Sequence, residues 1–232
     1  LILTVWLSGM VFLLLGRQNE TWLRLSLSFS GAFLFTISII HLLPSLLLQE
    51  GIRAGYFVLA GFFLQIVIEF FSGGIEHGHI HSHLRDGKTF PFTIMAGLSF
   101  HSFLEGMPLE GHLPSHADHS PVLLTGIILH HMPVAFALMS MLIASGLKRW
   151  KASVWLFLFA LMAPLGALTS RLLTHLYIPL PDHFFNSLMA IVVGIFMHIS
   201  TTILFESNKD HRFNLIKMIT VLSGAAVALL LF

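Results

Sequence analysis

His101 and Glu105 stand four residues apart inside an apolar run from Phe92 to Leu109. At 3.6 residues per turn that spacing puts an imidazole and a carboxylate on one face of a helix. A charged side chain at bilayer mid-depth costs at least ~2.5–3.5 kcal/mol, so an unpaired Glu105 is not expected there. About thirty residues on, a second apolar run carries His130-His131-Met132-Pro133 near its centre. Two imidazoles and a carboxylate on neighbouring helices suit a borderline divalent cation such as zinc. His130 and His131 point about 100° apart, so both cannot face one ion squarely. The expected main site is His101, Glu105 and His130, with Ser102 and His131 as a weaker flanking shelf. Three protein ligands with an open fourth position make an exchangeable site. A Glu–imidazole pair could also simply glue two helices together, but His130 at the same depth is surplus to that arrangement.

These residues need helices in lipid to hold them. The chain of 232 residues is 56% hydrophobic and only 10% charged, with a mean hydropathy of +0.86. A soluble domain of this size would carry about 25% charged residues. The expected fold is therefore an all-α polytopic membrane protein. Eight apolar runs can be marked, at about 1–15, 25–48, 54–72, 91–109, 121–146, 152–173, 183–205 and 213–232. They read as eight transmembrane helices in a single domain over 1–232. The first is short for a span, but no small-residue cleavage site follows it, so we read a span rather than a signal sequence. There are no cysteines, which excludes thiolate ligands and disulfides. Alternation of the connections puts ten of the 12 basic residues on one side, leaving Arg53 and Arg171 opposite. By the positive-inside rule that side is cytoplasmic and both termini are extracytoplasmic.

The remaining histidines sort by side. Glu76, His77, His79, His81 and His83 fall in a cytoplasmic His-rich loop over 73–90, and His112, His116 and His119 fall in an external connection. Such a tract can be a solvated low-complexity loop, and beside a metal path it suits ion capture. His41, Glu69 and His198 lie in the second, third and seventh runs, where path lining and interhelical hydrogen bonding are both open. The third run reads Gly61, Gln65, Glu69, Gly73 and the seventh Asn186, Ala190, Gly194, His198, each four apart; such small-and-polar stripes usually mean close helix packing, the reading favoured for Gly61, Ala190 and Gly194. Pro108 and Pro133 imply kinks near the central residues.

His101-Ser-Phe-Leu-Glu105-Gly106 resembles the fourth-helix signature of the ZIP (Zrt/Irt-like) family of divalent-metal transporters, His-Asn/Ser-x-x-Glu-Gly. His130-His131-Met-Pro133 is similar to its fifth-helix signature, and His41-Leu-Leu-Pro44 and Ala163-Pro-Leu-Gly166 agree with helices two and six. Two features depart from the family pattern. Val134 stands where many members have a fifth-helix glutamate, and 152–170 contains no Asp or Glu. A two-metal centre bridged by two glutamates is therefore not expected. The resemblance implies a bundle with inverted repeats, often a homodimer, that moves metal toward the cytoplasm by alternating access.

The expectation is thus a non-enzymatic carrier of Zn²⁺ as transported substrate, with Fe²⁺, Mn²⁺ or Cd²⁺ also admitted by such ligands. It would reside in the cell (plasma or inner) membrane, with the lipid bilayer and metal ions as partners and no nucleic acid. Uptake should fall on acidification, since entry requires neutral imidazoles and an ionised carboxylate. One rival is a ceramidase-like intramembrane zinc hydrolase, which needs a second carboxylate as general acid or base. Another is a haem protein with axial ligands among His41, His130 and His198.

Overall fold

Each of the eight apolar runs is helical in the computed structural model, which describes residues 1–15, 20–72, 74, 92–110, 120–176, 181, 183–206 and 215–232. Helix α1 is Ile2–Leu15. Helix α2 runs Glu20–Ile37, passes through a π-helical turn at Ser38–Leu42 and continues through Leu43–Glu50. Helix α3 is Ile52–Ser72, and α4 is Phe92–Gly106 with a 3-10 turn at Met107–Glu110. Then come α5 (Ser120–Ala144), α6 (Arg149–Ala160 and Met162–His175), α7 (Phe184–Glu206) and α8 (Leu215–Leu231). No strand occurs among the described residues.

Among the described residues, five stretches are long and apolar enough to cross a bilayer: Thr21–Glu50, Ile52–Ser72, Pro121–Ala144, Arg149–His175 and Phe184–Phe205. Within α1 and α8, Ile2–Leu13 and Leu215–Leu231 are shorter apolar helices. Helix α4 with its 3-10 turn reaches about 30 Å, the thickness of a hydrocarbon core. The outer surface is apolar, with Leu48, Phe70 and Leu230 each more than 80% exposed, as lipid-facing side chains are.

Prolines account for the irregular turns. Pro44 has no N–H for the Ile40 carbonyl, and the turn before it widens so that the Leu43 N–H reaches Ser38 O. Pro164 likewise cannot serve Ala160, and α6 is interrupted at Leu161, immediately before the Ala163 backbone approaches α4. Pro133 stays inside α5, where the Ser8 hydroxyl of α1 donates to the neighbouring Met132 carbonyl at 2.7 Å.

The most extensive helix pairs are α3 with α7, α2 with α8, α1 with α5 and α4 with α6. Exchanging α1 with α6, α2 with α7, α3 with α8 and α4 with α5 turns the first pair into the second and the third into the fourth. That is the neighbour pattern of an inverted repeat. In the α3–α7 pair a Cβ on Gly61 would land on the Ile191 carbonyl, and one on Gly194 on the Val58 carbonyl. The two backbones therefore touch, which only side-chain-free positions permit. Helix α2 packs on α5, α7 and α8, and its fully buried Phe33, Leu34 and Ile37 share the core with Leu123, Ile127, Phe196 and Ile199.

Candidate metal centre

Helices α4 and α5 bring His101, Glu105 and His131 together with one ligand atom from each within 4.8 Å of the others. All three are buried, Glu105 completely. The i,i+4 spacing sets the first contact, His101 Nε2 to Glu105 Oε1 at 3.0 Å. The second comes across the helix pair, His131 Nε2 to Glu105 Oε2 at 2.7 Å. The carboxylate therefore lies between two imidazoles and meets each with a different oxygen.

Those separations suit a small cation. Ligands at about 2.0–2.2 Å in a tetrahedron stand roughly 3.3–3.5 Å apart, a spacing that falls inside the 4.8 Å enclosing the three ligand atoms. Two nitrogens and a carboxylate oxygen form a borderline-hard donor set that fits zinc and its first-row neighbours. The walls are dry. The Phe159 ring of α6 lies 5.7 Å from that of His131, and Val134 is buried on the next part of α5. Gly106 lets α4 press on the Ala163 backbone of α6, since a Cβ there would meet the Ala163 carbonyl.

Of the tandem histidines it is His131, not His130, whose nitrogen joins the group. That exchanges the two positions relative to the expectation. The cause is the rotation of α5 about its axis, which periodicity does not fix: residues 100° apart are equally placed until packing chooses between them. His130 is fully buried beside the group, its ring 6.2 Å from that of His101 and 6.1 Å from that of His131. Ser102 is buried next to His101.

The more distant candidates are dispersed. Glu69 Oε2 of α3 lies 2.7 Å from His198 Nε2 of α7, and the Phe62 ring packs edge-on against that histidine at 4.9 Å. His41 sits in the π-helical turn of α2, with its ring 6.0 Å from that of Phe232. Neither place belongs to the close ligand group. Glu76, His77, His79, His81 and His83, like His112, His116 and His119, lie outside the described residues.

Two features escaped the sequence reading. Gln65, placed in a packing stripe, is fully buried with Oε1 3.1 Å from His101 Nδ1. An uncharged amide in mid-span was the available signal. At the far end of α3's partners, Glu50 Oε1 accepts from Asn186 Nδ2 at 2.6 Å and lies 2.8 Å from His183 Nδ1, tying the end of α2 to the start of α7. These partners are 133 and 136 residues apart in sequence, with no local pattern to announce them.

A helical membrane bundle with a dry, buried N, N, O ligand group is a metal-handling membrane protein in class. Residues 76–231 match the family described as ZIP Zinc transporter, two thirds of the chain, and the chain belongs to that family. None of the curated proteins compared with it matches. The family places it among transmembrane transporters of divalent metals, zinc foremost, as the motifs at His101 and His130 implied.

Proposed function

We propose that this protein carries Zn²⁺ into the cytoplasm as one transmembrane domain over 1–232, with His101, Glu105 and His131 as the ligands that hold the ion in mid-membrane. The observation that carries the reading is the fully buried Glu105 carboxylate clasped between two imidazoles at 3.0 and 2.7 Å. A doubly positive ion arriving there neutralises the carboxylate. His130 stands beside the three as an auxiliary donor, and Ser102 flanks His101. The Glu69–His198 pair, nearer the cytoplasmic ends of α3 and α7, receives the ion on its way out, with Glu76 and the histidines at 77, 79, 81 and 83 beyond it. His41 lines the path from α2. Fe²⁺, Mn²⁺ and Cd²⁺ compete for the same donors.

The basic residues put their side in the cytoplasm and both termini outside, and the inward direction is what the resemblance to the ZIP family implies. The protein works as a homodimer in the plasma or inner membrane. A hydrolase is disfavoured because Glu105 is engaged by both imidazoles and no further carboxylate joins the group among the described residues. A haem is disfavoured because the Glu105 carboxylate beside His101 has no role in bis-imidazole ligation. The test is zinc uptake into proteoliposomes, wild type against Glu105→Ala. Uptake lost in the variant supports the reading, and unchanged uptake refutes it.

A further inference from the structure

His101 is held at both edges of its ring. Nε2 faces Glu105 at 3.0 Å, and Nδ1 lies 3.1 Å from the side-chain oxygen of Gln65 on α3. Gln65 is fully buried and precedes the stretch that matches the family. A neutral imidazole carries one ring proton, and the nitrogen without it is the one that can bind a cation. For Nε2 to offer its lone pair to the ion beside Glu105, the proton must sit on Nδ1. Gln65 Oε1 is the acceptor standing at that place.

We propose that Gln65 is the positioning residue of the metal centre: by accepting the Nδ1 proton of His101 it fixes the tautomer and ring orientation that aim Nε2 at the ion. This rests on the reading of His101, Glu105 and His131 as the ligands. The surrounding helices hold the amide in register. One turn before Gln65, Gly61 seats α3 on the α7 backbone. One turn before His101, Gly97 brings α4 against α3, where an added Cβ would stand 3.1 Å from Ser72 N and 3.3 Å from Ile68 O. With the two helices antiparallel, this close approach at 97 against 68–72 sets residue 101 opposite residue 65. Partners of this kind, which donate to or accept from a ligand rather than touch the metal, are typically worth about 10–100-fold in affinity.

A merely structural glutamine would tie α3 to α4 without regard to which ring nitrogen is protonated. Zinc affinity of the full-length protein in detergent, measured by competition with a chromogenic chelator, separates the two roles. Gln65→Leu keeps the shape but removes the acceptor, and should weaken zinc binding by about 10–100-fold. Gln65→Glu keeps the acceptor and should recover about tenfold or more of that loss. Equal losses in the two variants, or no loss in Gln65→Leu while wild-type binding still depends on Glu105, would overturn the proposal and leave the site standing. Wild-type binding indifferent to Glu105→Ala would instead remove the site itself. Should Gln65→Leu fail to fold, the wild type decides: long-range ¹H–¹⁵N correlation on ¹⁵N-histidine protein with zinc bound should show His101 protonated at Nδ1 and metallated at Nε2. The opposite tautomer refutes the proposal.

Discussion

The two adjacent histidines of α5 should behave very differently when removed. His131 Nε2 is 2.7 Å from Glu105 Oε2, with both side chains at most 2% exposed. His131→Ala therefore deletes one of three ligand atoms, and the zinc affinity should fall by more than the ~100-fold upper range of a residue that only orients a ligand, equivalent to at least ~2.7 kcal/mol. The same substitution strands one carboxylate oxygen in a dry site. Leaving a buried polar group unsatisfied costs about 1–3 kcal/mol, more for a charged one, so the metal-free variant should also unfold at lower temperature. His130 lies outside the close group, and His130→Ala should cost about tenfold or less in affinity, the effect of losing an auxiliary donor. Chelator competition and thermal unfolding, each with and without zinc, measure both quantities. Should His130→Ala abolish binding while His131→Ala leaves it within tenfold, the rotation of α5 and the ligand set would both be wrong.

Other perturbations separate site from scaffold. Gly106→Ala drives a methyl group onto the Ala163 carbonyl and should destabilise the protein by about 1–3 kcal/mol in thermal unfolding, with impaired uptake, because α4 and α6 must part. Glu50→Ala breaks the tie to Asn186 and His183 and should lower stability by about 1–3 kcal/mol while leaving zinc affinity at the centre unchanged. Glu69→Ala should slow uptake without altering equilibrium zinc affinity; an equal fall in both would place Glu69 at the central site. Acidification from about pH 7.5 to 5.5 should weaken zinc binding, because the ligands hold a metal only in their deprotonated form. Binding that strengthens toward pH 5.5 would exclude imidazole ligands.

The bundle and the His101–Glu105 contact were legible in the sequence because they depend on local periodicity. Eight apolar runs give eight helices among the described residues, and the His101–Glu105 contact follows from i,i+4 geometry alone. The partner from α5 was legible only to within one residue. Choosing His131 over His130 requires the rotation of one helix against another, which is set by packing against side chains such as Phe159. Gln65 stayed hidden for a related reason: its four-residue stripe with Gly61 signals close packing, and the partner that makes it more than that lies 36 residues away across α4. The Glu50 cluster depended on the ends of α2 and α7 meeting, which no run of apolar residues encodes.

The central claim is that a divalent ion lodges between α4 and α5, and anomalous diffraction at the zinc edge from zinc-soaked crystals tests it most directly. We expect a single strong peak within about 2.0–2.2 Å of His101 Nε2, His131 Nε2 and a Glu105 oxygen. A well-ordered map with full zinc loading elsewhere and no peak among these three residues would contradict it.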